Sequence, residues 1–522
     1  MNLINSILFL SLLLLLNTNI RTYIHQKIKY LRFIKYLETT FYLFIILNSG
    51  ILIYFSIYYL NTNIFLDHIE PHMATVSWFF DYNKTIYTGP ESAERYSLAY
   101  GPITYLSNYL SMKLLGPSIF SSKITCSISL ILTLLVLFLS LKKITKKTNE
   151  SLFLIGFMSM VLMSSAFAPV GIRNDSLSYL IISLSIFLCT KRNIFFNTFL
   201  FSFLIFLQLN IKPHFVFSLL PPLFYYLNKI DIKFIYNITT ISLSIFLLNI
   251  FLWFGFENIS ILNYIFWINT ITNNGFFLET FIKNFLFSLI WIIPIIFFQI
   301  IHHQEMKTKE KFLFLTIIIV SFLDAFLGSR RGGGTPIFFP LLPSIIFLIA
   351  IYINKKSDIN LRVFKFLYIL FSLMFFSHSS TKGIYKKINY LNNNDLSNQQ
   401  IEIKEIIEKY KNKNITMGYG ASDKGNLLSY LSPLLSFHKE NFIIDLSHLV
   451  ETIDDVKIST NTLLSIKNCE INYIILPQNE KAFEIKPWGI NIFDENFINT
   501  FYSKFQIYEK LNFYDVWKCR KT

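Results

Sequence analysis

The chain has 522 residues and a formal charge of +15, with 53% hydrophobic residues, only 15% charged residues and a mean hydropathy of +0.46. A soluble protein would carry about 25% charged residues; here the deficit lies in long apolar runs, which excludes a soluble globular enzyme. The 56 Phe and 29 Tyr exclude disorder, and four cysteines without a Cys-x-x-Cys pair exclude a disulfide scaffold, a zinc ribbon and a thioredoxin-type site.

A membrane span needs roughly 17–25 mostly apolar residues. In chain order the candidates are 4–16, 40–60, 119–141, 152–169, 177–189, 194–211, 215–227, 234–254, 285–301, 312–327, 337–353 and 363–377. The first lacks a basic leader and a clear cleavage site, so it reads as a retained anchor. Residues 103–115 are bracketed by Gly101-Pro102 and Gly116-Pro117 and read as an interfacial or re-entrant helix. The expected fold class is a polytopic α-helical membrane protein of about 11–13 transmembrane helices, with a small C-terminal α/β extramembrane domain.

The basic residues test this count. They cluster between Arg21 and Lys35, at Lys142, Lys143, Lys146 and Lys147, at Lys191 and Arg192, at Lys229 and Lys233, at Lys307, Lys309 and Lys311, and at Lys355, Lys356, Arg362 and Lys365. If 103–115 does not cross, all six clusters share one side, which the positive-inside rule makes cytoplasmic. The excess of basic residues is thereby explained without nucleic acid as a partner. The other face carries residues 61–102, 255–284, 328–336 and everything after His378. Domain boundaries at 1–378 and 379–522 follow. The C-terminal domain shows strand-like runs at 415–418, 442–445, 471–476 and 513–517. A short helix at 426–432 is expected to stop before Pro433. Cys469 and Cys519 both lie in this domain, and a disulfide between them is one option. No Gly-x-x-x-x-Gly-Lys-Ser/Thr motif is present, which argues against ATP-driven transport by this chain alone.

The outer segments hold the polar chemistry. Asp67 and Glu70 follow directly on a span, with Pro71 placed to open a helix. An ionised carboxylate there suits a general base or a metal ligand, or merely solvates the loop and caps the helix. His68 and His72 flank Glu70, but His-Ile-Glu-Pro-His is not the zinc-binding His-Glu-x-x-His, and Pro71 would interrupt the helix needed to align them. Arg173-Asn174-Asp175 sits in a very short outer turn, where ionisable groups are expensive; Asp175 as a helix N-cap is the plainer reading. Lys212-Pro213-His214 and Gly328-Ser329-Arg330-Arg331 place cations on the side the positive-inside rule disfavours. Arginine's planar fork suits phosphate oxygens, while a snorkelling lysine or a headgroup-facing turn are the alternatives. Trp78, Tyr87 and Tyr100 are candidates to stack on a sugar, or to anchor the loop at the interface.

The early carboxylate, the long first outer loop, the Tyr100-Gly101-Pro102 lead into a helix, and the glycine-rich turn before Pro340 and Pro343 resemble the GT-C superfamily of integral-membrane glycosyltransferases. The resemblance is to the group that uses dolichyl- or polyprenyl-phosphate sugars, which includes protein mannosyltransferases and the aminoarabinose transferases of lipid A. It spans about residues 40–355 plus the C-terminal domain, in layout and weak motifs. It implies an inverting transfer on the outer face of the cell (inner or plasma) membrane, with a first-loop carboxylate as base, Asp67 first and Glu70 second. Many relatives have adjacent Asp-Glu where this chain has Asp67-His68-Ile69-Glu70, which leaves the choice open. The partners implied are a polyprenyl-phosphate-linked sugar donor, a lipid, glycan or protein acceptor, and membrane lipids. No cofactor is required. Metal dependence varies across the superfamily, so none is inferred; Asp67 and Glu70 are the nearest carboxylates if a divalent ion is used. Arg173 with Asp175 looks like a recurrent polar turn of the family. Lys212, Arg330 and Arg331, with His214 in support, are physical candidates for the donor phosphate. A transporter or flippase, a glycan polymerase or ligase of another fold, and a structural or sensory protein are the competing readings.

Overall fold

The apolar runs expected to span are helical wherever a computed structural model of the chain describes them. It describes residues 32–163, 169–191, 194–227, 234–273, 275–301, 306–330, 333–355, 388, 395–422, 427–452 and 458–520. The expected spans 4–16 and 363–377 lie outside the described residues, as do Arg331, Arg192, Lys229, Lys233, Lys356, Arg362, Lys365 and most of the basic stretch 21–35.

The helical part comprises α1 (Arg32–Leu60), α2 (Ile69–Trp78), α3 (Pro102–Leu115), α4 (Ile119–Thr145), α5 (Thr148–Met163), α6 (Asp175–Cys189), α7 (Ile194–Leu209), α8 (Leu220–Leu227), α9 (Phe234–Gly255), α10 (Ile261–Thr272), α11 (Leu278–Ile301), α12 (Thr308–Leu327) and α13 (Leu342–Lys355). Segments 119–145, 238–255 and 335–354 are long and apolar enough to cross a membrane. In α4 the chain's ends are well satisfied. Ser118 and Ser121 form a reciprocal capping box, and Lys142 and Lys143 face the negative end of the helix dipole. Helix α4 packs along α6, and α1 along α5. The second pair approaches so closely that a Cβ at Gly156 would stand 2.1 Å from the Ile45 carbonyl oxygen, so only glycine fits. Outward, α9 exposes Phe246, Phe251 and Phe254, a face whose burial lipid would supply.

Helix α3 has 14 residues, about 21 Å at 1.5 Å per residue, against a hydrocarbon thickness of about 30 Å. The run 215–227 is not one α-helix. A 3-10 turn covers Pro213–Leu219 and α8 follows, because prolines 213, 221 and 222 remove backbone donors. A 3-10 turn at Thr335–Leu341 likewise leads into α13.

The C-terminal part contains α14 (Asp395–Lys409), β1 (Ile415–Met417), α15 (Pro433–His438), α16 (Leu446–Thr452), α17 (Thr460–Lys467), β2 (Tyr473–Pro477), α18 (Glu495–Lys504), β3 (Phe505–Lys510) and β4 (Tyr514–Cys519). The sheet order is β1-β2-β4-β3, with β1 parallel to β2 and the other pairs antiparallel. One expectation is corrected. Residues 442–445 do not join this sheet; only Ile444 pairs, in an isolated bridge to Arg95 of the first outer loop. Of the helix expected at 426–432, residues 427–429 are helical and the chain turns at 430–432, before Pro433 opens α15, where its missing N–H costs nothing. Cys469 and Cys519 are joined as a disulfide, while Cys126 and Cys189 are buried thiols that form no disulfide among the described residues.

This part docks on residues 61–102 through backbone as well as side chains. Arg95 N–H donates to the Ile443 carbonyl at 2.9 Å, and Asp445 N–H to the Arg95 carbonyl at 2.7 Å. The Tyr82 hydroxyl donates to the Ser436 carbonyl at 2.8 Å.

Candidate active site

The two first-loop carboxylates have separate fates. Helix α2 starts at Ile69, so Pro71 lies in its first turn, where no intrahelical donor is lost, and the helix runs through it. Glu70 is fully buried. It accepts from the Tyr59 hydroxyl at 2.8 Å, from Leu66 N–H at 2.7 Å, from Asp67 N–H at 3.0 Å and from Ile172 N–H at 3.0 Å. Burial pushes its pKa up, while the nearby Lys123 ammonium, the Leu66 N–H and the Tyr59 hydroxyl pull it back. Lys123 is itself held by the carbonyls of Tyr59, Thr62 and Ile64 at 3.1, 2.8 and 2.5 Å. Glu70 is therefore consumed in joining the loop to the turn before α6, and no lone pair is left for a substrate or a metal.

Asp67 faces a chain of alternating charges. Its Oδ1 lies 2.7 Å from His68 Nδ1 and its Oδ2 3.2 Å from Arg173 Nη1. Arg173 Nε lies 3.8 Å from Asp175 Oδ2, and the other Asp175 oxygen pairs with the Lys212 ammonium. Burial opposes the charge on Asp67, but the His68 contact and then Arg173 outweigh it and hold the carboxyl well below the usual carboxylate range. Asp175 does not cap α6; Asn174 occupies the cap at φ 58° with no side-chain bond to the helix. The Asn174 amide instead donates to the Thr104 carbonyl at 2.7 Å and to Ser107 Oγ at 2.9 Å, which pins this turn to α3.

The Lys212 turn is held by the end of the first outer loop. Gly101 N–H donates to the Ile211 carbonyl and Ile103 N–H to the Asn210 carbonyl, both at 2.9 Å. A Cβ at Gly101 would stand 2.3 Å from the Asn210 carbonyl oxygen, so the Gly101-Pro102 step is the joint between the two. Lys212 is buried with its ammonium 4.9 Å from the Tyr100 ring centre. Burial lowers its pKa to about 8, against the pull of Asp175. His214 is pushed down to about 3 by burial, then by Lys212 and Arg173, so it is a neutral imidazole and not a third cation.

The remaining expected residues are placed differently. Tyr87 is fully buried, donating its hydroxyl to the Tyr100 carbonyl at 2.6 Å and packing on Tyr264 and Trp253. Trp78 is buried against Tyr109. Neither ring is presented for stacking on a sugar. Arg330 pairs through its backbone with Phe276; among the described residues no hydrogen bond or ion pair links it to the Asp67–Lys212 chain. His68 and His72 do not converge on one point. His68 turns to Asp67, while His72 Nδ1 faces Asp445 Oδ1 at 3.2 Å. Among the described residues no three His, Cys, Asp or Glu side chains are grouped to hold a metal ion.

Asp445 reveals a contribution that sequence reasoning missed. The C-terminal part lays α16 over the 61–102 segment. Ser447 Oγ donates to the His68 carbonyl at 3.1 Å, and His448 Nδ1 lies 2.5 Å from the Ser97 carbonyl. Glu451, on the same helix, is pushed up to about 6 by burial, against His72, His68 and Arg173.

The fold has a counterpart among solved structures. The fold is that of ArnT. ArnT from Cupriavidus metallidurans, a GT-C glycosyltransferase crystallised with undecaprenyl phosphate, matches with a TM-score of 0.54 at 10% identity, covering 91% of this chain and 97% of ArnT. Its apo structure matches with a TM-score of 0.52 at the same identity and coverage. Coverage this high cannot be reached without the C-terminal part, so the likeness to ArnT extends beyond the apolar helices. No family model and no curated protein matches the sequence.

Proposed function

We propose that the chain is a GT-C membrane glycosyltransferase. It moves a sugar from a polyprenyl-phosphate-linked donor to an acceptor hydroxyl or amine at the extracytoplasmic face, by inverting displacement. The observation that carries this reading is the Asp67–Arg173–Asp175–Lys212 chain, which brings three segments far apart in sequence to one spot beside the apolar helices. The ArnT fold, crystallised with undecaprenyl phosphate, supports a polyprenyl-linked donor.

The chemistry follows from the charges. The leaving group is a phosphate, a stable anion at neutral pH, so it needs cations rather than a proton donor. Arg173 and Lys212 supply them, and Arg173 Nε has no hydrogen-bond partner among the described residues. Arg330 and Arg331 of the glycine-rich turn are further candidate cations by sequence. Asp67 is the ionised first-loop group that drives removal of the acceptor proton. Glu70 sets the backbone that carries it. Sugar–phosphate bond energy drives the transfer, so no nucleotide is needed.

The test uses the full chain in lipid nanodiscs with a panel of undecaprenyl-phosphate-linked hexoses and pentoses and an envelope extract as acceptor. Release of undecaprenyl phosphate that depends on the extract, and that falls at least about 100-fold in Lys212→Ala and Asp67→Asn, is expected. Turnover unchanged in both variants would remove the proposed site.

A further inference from the structure

The first outer loop contains a second titratable group that the reading above does not use. His68 Nδ1 lies 2.7 Å from Asp67 Oδ1, and the other Asp67 oxygen is engaged by Arg173. Of the side chains in this cluster His68 is the most open, 35% exposed against 8% for Asp67, 19% for Arg173, 5% for Lys212 and 2% for Asp175. Its backbone is fixed on both sides. It is the N-cap residue of α2, and its carbonyl accepts from Ser447 Oγ of the C-terminal domain. The Nε2 edge makes no hydrogen bond within the described residues.

We propose that His68 is the catalytic base of the transfer and that Asp67 is its positioning residue. The inference rests on the transferase reading and names the atom that takes the proton. A carboxylate tied on one oxygen to the Arg173 guanidinium and on the other to an imidazole N–H is a weak base. An imidazole whose Nδ1 is held by that carboxylate has one tautomer, with Nε2 free to accept. The acceptor X–H loses its proton to His68 Nε2 as X attacks the anomeric carbon. The bond from that carbon to the phosphate oxygen breaks, and its electron pair leaves with the polyprenyl phosphate. The imidazolium so formed is stabilised by Asp67 and later returns its proton to water. No electrons change hands, and no further reactant is needed.

The groups that face His68 come from three elements: Asp67 of the same loop, Arg173 of the turn before α6, and Glu451 of α16. Burial lowers the His68 pKa, Asp67 raises it more than enough to compensate, and Arg173 and Glu451 oppose each other. The base is therefore neutral only above the ordinary histidine range.

The experiment measures kcat and KM against pH for the full chain in nanodiscs, with the undecaprenyl-phosphate sugar panel and envelope extract. For the wild type kcat should rise on one ionisation above pH 6.5 and fall again as Lys212 loses its charge near pH 8. His68→Gln should lower maximal kcat about 10²–10⁴-fold with KM nearly unchanged, and should abolish the rising limb alone. His68→Ala should be partly rescued by added imidazole. Asp67→Asn should shift the ionisation to lower pH. Carbethoxylation of the wild type at His68, followed by mass spectrometry, should titrate with the same pKa in the absence of substrate. Rescue by imidazole separates a missing base from a misfolded loop. Wild-type turnover with an unaltered profile in His68→Gln overturns the assignment of the base and leaves the transferase reading standing. A wild type that turns over no donor overturns both.

Discussion

Glu70→Gln should destabilise the protein rather than silence its chemistry. The Glu70 carboxylate accepts three backbone N–H groups and one hydroxyl in a fully buried position. Glutamine keeps one oxygen and presents its NH2 to the donors on the other side. Either Ile172 N–H or the Leu66 and Asp67 N–H pair is then left facing a donor. A buried unsatisfied group costs about 1–3 kcal/mol, so the loss is about 1–3 kcal/mol in the first case and about 2–6 kcal/mol in the second. Glu70→Ala strands all three N–H groups, about 3–9 kcal/mol, which approaches the whole stability of many folds. Asp67→Asn orphans no backbone donor, and Arg173 retains Asp175. The assay is thermal unfolding in detergent alongside turnover of the undecaprenyl-phosphate sugar panel. The expected order of stability is wild type, then Asp67→Asn, Glu70→Gln and Glu70→Ala, with the folded fraction of Glu70→Gln still active. A Glu70→Gln protein that melts with the wild type yet transfers nothing would refute the reasoning and make Glu70 the chemical carboxylate.

Lys212 loses its charge as pH rises through about 8, so undecaprenyl phosphate should bind the free protein progressively more weakly above that pH. Lys212→Arg, which stays charged, should bind with an affinity flat across the same range in a fluorescence titration. Reducing the Cys469–Cys519 bond, which spans 50 residues, should cost about 4 kcal/mol by the loop-entropy relation. Protease nicking between β1 and β4 under reducing conditions would show that loss, and unchanged protease resistance would argue against it. A cysteine placed at Lys481, 74% exposed in the C-terminal domain, should react with an impermeant maleimide in intact cells. One placed at Lys147, in the exposed α4–α5 turn, should react only after permeabilisation; labelling of both from outside would overturn the assigned sidedness.

The helices were legible because a span's signal is local: apolar length alone predicts α4, α9 and the run into α13. The same simplicity misjudged proline. At 213, 221 and 222 it converts an apolar run into a 3-10 turn and a short helix. At 71 and 433 it sits in a first turn and interrupts nothing. Both outcomes follow from one missing N–H, and which applies depends on where the preceding chain enters the helix, which composition does not record. The missed β3 has an exposed outer face with Gln506 and Glu509 among its residues, so it lacks the apolar run that marked β2.

Within the site, Asp67, Arg173 and Lys212 stood out because charged residues interrupt apolar runs at turns between helices. Nothing in spacing could rank Asp67 above Glu70, since both belong to one stretch of loop. What separates them is the Ile172 N–H, 102 residues away, which turns Glu70 inward and leaves Asp67 facing the cations. The same dependence on distant chain hid Asp445, His448 and Glu451. They lie in a polar tail where charged residues are unremarkable, and they acquire meaning only because the bridge between Arg95 and Ile444 lays α16 across the first outer loop. His68 was overlooked for a related reason. A histidine beside His72 invites a metal reading, and once the helix sends the two rings to different carboxylates that reading dissolves into two separate pairs. An acidic residue and its histidine neighbour adjoin in sequence in many loops. Here, Arg173 on the far oxygen of Asp67 and Ser447 on the His68 backbone convert that adjacency into a fixed geometry at the open edge of a buried charge chain.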